Sequence, residues 1–483
     1  MKYPLTKIRD GVWEIDPSAK KGMRVPARLY SSDKLIGALD EGVFEQVTNV
    51  ATLPGIVGHA LCMPDGHWGY GFPIGGVAAF STSDGVISPG GIGFDINCGM
   101  RLIRTNLVLE ELKPKLPQLL DRLFQLVPAG VGVKGSVHLN KKEFERVLVD
   151  GANWCHKNGY ASDSDCASIE QGGKLPNADP AHVSEKAFER GRDQLGTLGS
   201  GNHYLEIEVV KPENVFDAKI AQRFGIDRPN QIVILVHCGS RGCGHQVATD
   251  HLQTFTKAMV KYGITTNDRE LACAPFGSTE GQAYFKGMTC AANSAFANRQ
   301  IIVHNIRRAF MEVLGKSERE LGLETVYDVA HNIAKIETYE IGGKKQQVIV
   351  HRKGATRAFG PNMPDVPERF RDIGQPVLVG GSMQTGSYLL VGTKRAMDET
   401  YGSTLHGSGR TMSRMQAKKM VRGSDLIKKM EEQGIQVRAA SLSGLAEEVG
   451  FAYKEIDDVI DAVDSIGISK KVAKLVPIGN IKG

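Results

Sequence analysis

The stretch QIVILVHCGSRGCGH, residues 231–245, carries the reading on which the fold class turns. Its first seven residues form an unbroken, largely β-branched apolar run ending in a histidine, which predicts a strand buried on both faces. The glycine-rich GSRGCGH (239–245) predicts a loop, and residues 246–261 an amphipathic helix. Working outward, residues 111–127 have helical spacing after a proline-interrupted start, and residues 291–314 form the longest helix candidate. QQVIVHRKGATRAF (346–359) and QPVLVGGSMQTGSYLLVG (375–392) predict strands joined by glycine turns. A helix over 454–467 and an extended VPIGNIKG (476–483) close the chain. Strands and helices are mixed without a strict βαβ rhythm, so the expected class is α+β.

Composition narrows the function classes. The chain has 483 residues, enough by length alone for about two to four domains. A net charge of +5 permits an acidic partner such as nucleic acid without requiring one. The N-terminus lacks the apolar core of a signal peptide, and no run approaches the ~18 apolar residues of a spanning helix, so a cytoplasmic protein is expected. The 56 glycines are about 12% of the chain against a typical ~7%, and without low complexity they point to tight loops of the kind that approach phosphates. Eight cysteines form no C-x-x-C pair and no disulfide framework. Most are expected to be small buried hydrophobes; Cys98 and Cys238 differ in their neighbours.

GGIGFDINCGM (90–100) sets Asp95 and Cys98 three positions apart in a glycine-rich loop. Three histidines stand at the mouths of other elements: His203 in GSGNHYLEIE, His237 at the end of the buried run, and His331 in YDVAHNIAKIE. Each alone is ordinary. If the five converge, a thiolate, a carboxylate and three imidazoles can hold two cations with sulfur between them, and such donors favour zinc over manganese. A fourth histidine, His406 in GSTLHGSGR, lies on an open glycine loop followed by Arg410, a setting suited to a phosphoryl or nucleotidyl acceptor. Gly315-Lys316-Ser317 mimics the end of a P-loop, but Phe310 replaces its first glycine, and no K-x-D-G supplies a lysine for nucleotidyl transfer. Basic residues gather in 351–360 and 410–423, and with Arg241 the second group, including Arg410 and Arg414, can follow an RNA backbone. Aromatics are sparse at 7%, which argues against base stacking as the main mode of recognition.

Taken together, MPDGHWGYGFPIGGVAAF, SPGGIGFDINCGMRLIRTNL, LGSGNHYLEIE, VHCGSRGCGHQV, YDVAHNIAKIE, VIVHRKGATRAF, GSMQTGSYLL, GSTLHGSGR and the terminal PIGNIKG closely resemble the RtcB-type RNA ligases. The resemblance runs from about residue 20 to the end and implies one large interleaved catalytic domain over 1–483. It implies GTP-dependent joining of RNA 2′,3′-cyclic phosphate or 3′-phosphate ends to 5′-hydroxyl ends, as in tRNA splicing and RNA repair. His406 would become guanylylated and pass GMP to the RNA 3′-phosphate, and the 5′-hydroxyl would then displace it. By the same resemblance two Mn2+ are held, one by Asp95, Cys98 and His203, the other by Cys98, His237 and His331. The zinc preference of the donor set and the implied manganese are reconciled if zinc binds more tightly but in a geometry that inhibits turnover. GTP contacts are implied at Asn202, His203, Tyr204, Leu205, Glu206, His331, Asn332, Gly380, Gly381, Ser382, Met383, Ser387, His406, Gly407, Ser408, Gly409 and Lys482. Of these, Glu206 can accept from the guanine N1–H and 2-amino group, and Lys482 can donate to O6.

Tyr204, Gly380, Gln384, Leu405 and Ser408 depart from the commoner family pattern without removing a ligand or the nucleophile. The expected partners are RNA, in particular tRNA exon halves, and the small activator protein archease. Two rival readings are a dinuclear metal-dependent cyclic phosphodiesterase that never joins ends and an RNA-binding scaffold with a vestigial site. A hydrolase needs neither His406 nor Lys482.

Overall fold

The computed structural model describes residues 3–483. Its centre is the run that opened the sequence reading. Gln231–Cys238 is a strand buried at all eight positions, hydrogen-bonded antiparallel to Gly99–Val108 on one side and Tyr204–Val210 on the other. Because side chains alternate along a strand, the run divides between two cores. Ile232, Ile234 and Val236 pack with Ile302, Ile306 and Phe310 of a long helix, while Val233 and Leu235 pack with Met100, Leu102 and Leu389. His237 continues the second face. The unbroken apolar pattern therefore means two covered faces.

That strand sits within an eight-stranded sheet, which runs from Glu324–Ala330 at one edge through Ser469–Lys482 to Ser387–Gly392 and Pro376–Val379. A seven-stranded sheet holds the N-terminal strands, Ile56–His67, Ile74–Ser81, Lys344–Lys353 and Asn332–Ile341. The two sheets share a core in which Leu61, Val77 and Val350 pack with Val377, Val379 and Leu390, and the chain passes directly from one to the other at one residue. Strand Glu324–Ala330 ends the first and Asn332–Ile341 begins the edge of the second, with His331 alone between them. The architecture is α+β.

Two expected boundaries move, and for a common reason. The helix expected over 246–261 begins at Arg241, so the predicted loop 239–245 shrinks to its first two residues. The longest helix begins at Thr279 rather than 291 and runs to Leu314. The glycines in both extensions allow close packing instead of a flexible turn. A Cβ on Gly242 would lie 2.8 Å from the Arg190 carbonyl oxygen, and one on Gly281 2.3 Å from that of Pro275.

Behind the eight-stranded sheet lies a buried ionic triad. Asp328 accepts from Arg101 Nε at 2.6 Å and from Arg299 Nε and Nη2 at 2.7 and 2.8 Å, with all three side chains fully buried. Burial pushes the Asp328 carboxyl up, but the two guanidiniums outweigh it and hold the group below its ordinary value. Arg299 also donates to the carbonyls of Asn97 and Cys238 at 2.8 Å, tying the triad to two segments of the candidate site. Asp328→Asn should destabilise the fold by about 3–5 kcal/mol, because it strands two buried cations, and chemical denaturation at neutral pH measures this. The folded pKa is depressed, so the wild-type advantage should be present at neutral pH and lost as pH falls through that value.

Candidate metal and nucleotide site

The loop 90–98 follows a short turn at Pro89–Gly91 and feeds directly into the strand that starts at Gly99. Cys98 N–H donates to the Asp95 carbonyl at 3.0 Å, closing a turn that presents both side chains together. Buried Asn97 takes a left-handed φ of 55° there, with its N–H on the Asn332 carbonyl at 2.7 Å and its amide on the Ala292 carbonyl at 2.7 Å. A side chain at Gly239 would strike the Asp95 carboxylate, its Cβ 2.3 Å from Oδ1.

The five expected ligands converge from four segments. His203 Nε2 lies 2.7 Å from Asp95 Oδ2 and 3.4 Å from Cys98 Sγ. His237 Nε2 lies 3.2 Å from the same sulfur and 3.1 Å from His331 Nε2. Asp95, Cys98 and His203 thus form one cluster and Cys98, His237 and His331 a second, with donor atoms in each within 4.8 Å of one another. His237 Nδ1 donates to the Asn202 carbonyl at 2.9 Å, which leaves the Nε2 lone pair facing the sulfur. Burial pushes His237 and His331 well below the ordinary histidine value, with neighbouring imidazoles adding to it, so both are neutral ligands. Burial and then the Asp95 charge push the Cys98 thiol up to about 12, so a thiolate here needs a cation as compensation. Two imidazole nitrogens and a sulfur facing one another in a buried site are arranged as ligands around a cation. Each of the two groups has the donors to hold a metal ion.

Cys238, singled out in the sequence, is a supporting group. Its sulfur lies 3.7 Å from His203 Nδ1 and accepts from Asn298 Nδ2 at 3.3 Å.

His406 stands next to this centre, its ring centroid 4.9 Å from that of His331. It follows the short strand Ser403–Leu405, and the next residue, Gly407, bridges to Gly380. Its partner is Asp65, a residue the sequence reading passed over inside MPDGHWGYG. A single oxygen, Asp65 Oδ2, lies 2.7 Å from His406 Nδ1 and accepts from the backbone N–H groups of His406 and Gly407 at 3.0 and 3.3 Å. Burial pushes the Asp65 carboxyl up, but the hydrogen bonds and charge of His406 hold it below its ordinary value. Asp65 therefore accepts from Nδ1–H and keeps the proton on that nitrogen, and Nε2 is left with the lone pair. Gly409, at φ 74°, permits this approach, since a Cβ would lie 2.1 Å from the Asp65 carbonyl oxygen.

A cleft of about 810 Å³ opens over these groups. Asn202, Tyr204, Asn332, Gly380, Gly381, Ser382, Met383, residues 406–409 and Lys482 line it with His237 and His331. Asn332 Oδ1 accepts from Gly354 N–H at 2.8 Å, and Lys482 Nζ donates to the Gly201 carbonyl at 2.8 Å while lying 5.5 Å from the Tyr204 ring. The penultimate lysine is thus part of a strand and buried. Four expected nucleotide contacts stand back from the cleft: His203 lines a neighbouring one beside Asp95, and the other three lie in the strands. Leu205 faces the opposite core by strand alternation. Ser387 is buried in its strand. Glu206 is buried against Asn480, and burial pushes its carboxyl up to about 8 against the pull of Lys482. Among the basic residues expected on RNA, Arg410 spends its guanidinium on Tyr453, Glu448 and two carbonyls, and Arg241 on Thr197 and Gly130. Arg414 is paired with Glu448 at 2.9 Å but keeps half its side chain exposed.

A family model described as "tRNA-splicing ligase RtcB" matches residues 46–483, a span that holds both clusters, Asp65, His406 and Lys482. The chain belongs to the RtcB family. Curated relatives named "tRNA-splicing ligase RtcB" include one from Archaeoglobus fulgidus, 55% identical over the whole of both chains, and one from Thermococcus kodakarensis, 52% identical over 99% of each. A relative from Entamoeba dispar named "RNA-splicing ligase RtcB homolog 1" is 44% identical over all of this chain and 92% of its own. RtcB family membership therefore extends over the N-terminal residues that the family model leaves out. Among the described residues, no helix is long and apolar enough to cross a membrane.

Proposed function

We propose that the protein is a GTP-dependent RNA ligase that joins RNA ending in a 2′,3′-cyclic phosphate or 3′-phosphate to RNA with a 5′-hydroxyl, acting in the cytoplasm on tRNA exon halves and on broken RNA. The observation that carries this reading is the His406–Asp65 pair beside the double ligand cluster. A dinuclear phosphodiesterase that opens cyclic phosphates with a metal-activated water needs no imidazole prepared as a nucleophile. His406 Nε2 attacks the α-phosphorus of GTP, the P–N bond forms and pyrophosphate leaves, with the Nδ1–H of the resulting imidazolium held on Asp65. An oxygen of the RNA 3′-phosphate then attacks the same phosphorus, which breaks the P–N bond and returns the imidazole. Finally the 5′-hydroxyl attacks the RNA 3′-phosphorus and GMP departs.

Asp95, Cys98, His203, His237 and His331 would hold two manganese ions, which would supply neutralisation of phosphate charge and activation of oxygen nucleophiles. Lys482 and Tyr204 take the guanine end of the nucleotide, and the loop 407–409 lines the cleft on its phosphate side. Archease is a candidate activator of the same cycle.

Incubation with α-labelled GTP and manganese should label the protein covalently, through a phosphoramidate that is acid-labile and stable to alkali. Opening of a cyclic phosphate without any label would overturn the reading in favour of a dinuclear phosphodiesterase.

A further inference from the structure

Trp68 is 60% exposed, is the first residue beyond the strand Ile56–His67, and lines the same cleft as His406. It is held in place. The indole lies so close over Gly42 that a Cβ there would fall 1.8 Å from Cε3, which makes the glycine a seat for the ring. On one side of Trp68, Lys454 Nζ donates to the carbonyls of Pro64 and Gly66 at 2.9 and 2.7 Å. On the other, the Gln46 side-chain amide bonds Gly69 in both directions, at 2.5 Å to its carbonyl and 3.0 Å from its N–H. The whole segment 64–69 is thereby clamped between two elements, and the large apolar ring it carries is left facing solvent at the mouth of a polar cleft.

The ring's place in the chain fixes its distance from the chemistry. Trp68 is three residues after Asp65, which touches His406, so their Cα atoms lie within about 11 Å. That is the reach of one or two nucleotides from the reacting phosphate. The groups assigned above to the guanine end, Tyr204 and Lys482, are both buried, whereas Trp68 is at the open rim where a polymer leaves. An immobilised, exposed indole at that position has the properties of a base-stacking platform, which costs little ordering entropy and accepts any base.

We propose that Trp68 stacks on the terminal nucleobase of the RNA strand that carries the 3′-phosphate, and so sets that phosphate against His406. This rests on the ligase reading for the identity of the strand. Composition argued against stacking because aromatics are few; one fixed ring at the rim is sufficient for one base.

The test is a cycle of two changes, Trp68→Ala in the protein and removal of the base from the 3′-terminal nucleotide of a 3′-phosphate RNA. Binding is followed by anisotropy of the labelled RNA, a readout that needs no catalysis. Trp68→Ala should weaken binding of the intact RNA about tenfold, removing the base should weaken wild-type binding by a similar factor, and the two together should do little more than either. Trp68→Phe should restore most of the affinity. Independent, multiplying effects would overturn the proposal, as would intact RNA binding equally to wild type and Trp68→Ala. A rise in KM for GTP in the labelling reaction, with RNA binding unchanged, would assign the ring to guanine and overturn the RNA assignment. Failure of the ligase reading shows separately, as wild-type protein that takes no label.

Discussion

His406→Ala should take no label from α-labelled GTP and should ligate at least about 10⁴-fold more slowly than wild type, as expected when the group that forms the covalent bond is removed. Asp65→Ala separates the nucleophile from its preparation. Without the carboxylate, the ring loses the partner that keeps the proton on Nδ1, and the imidazolium formed on attack loses its compensating charge. A comparable loss of tautomer control in a serine protease triad costs about 10⁴-fold, so guanylylation by Asp65→Ala should fall by about 10³–10⁴-fold. Asp65→Asn should fall between the two, because an amide oxygen can still accept from Nδ1–H and from the backbone N–H groups of His406 and Gly407. Manganese content separates a chemical effect from a folding one: Asp65 belongs to neither ligand cluster, so both variants should keep their metals. Asp65→Ala that labels at the wild-type rate would sink the assigned role.

How far the site was legible depended on whether a residue's role leaves a local trace. Asp95 and Cys98 share one loop, His237 and His331 stand at the ends of apolar runs and His203 where a glycine loop enters a strand, so the ligands could be picked out. That they meet depends on the strand order, which brings Gly99–Val108, Gln231–Cys238 and Tyr204–Val210 side by side, and spacing along the chain does not encode it. Asp65 had no such trace. It is 341 positions from His406, and between two glycine-rich segments a single aspartate looks like a turn residue. The helix that starts at Arg241 was hidden for a different reason, since GSRGCGH reads as loop chemistry although tight packing against Arg190 requires Gly242. Leu205 shows the opposite case: within one strand, alternation assigns it to the core and Tyr204 to the cleft.

The sharing of Cys98 makes the second large prediction. Its sulfur lies 3.4 Å from His203 Nε2 and 3.2 Å from His237 Nε2, and those two histidines belong to different clusters. Cys98→Ala takes the one anionic sulfur from both, leaving a carboxylate and an imidazole in one and two neutral imidazoles in the other. Affinity for both cations should fall by more than about 100-fold, beyond the 10–100-fold typical of losing a group that only supports a ligand. After loading with manganese and desalting, wild type should retain two ions per chain by elemental analysis and Cys98→Ala none. His331→Ala is the discriminating control, because His331 serves only the second cluster; it should lose one ion and keep the other. Circular dichroism checks that each variant is folded. If Cys98→Ala kept one ion at wild-type affinity, the thiolate would serve a single metal, and the two clusters would be separate sites that happen to adjoin.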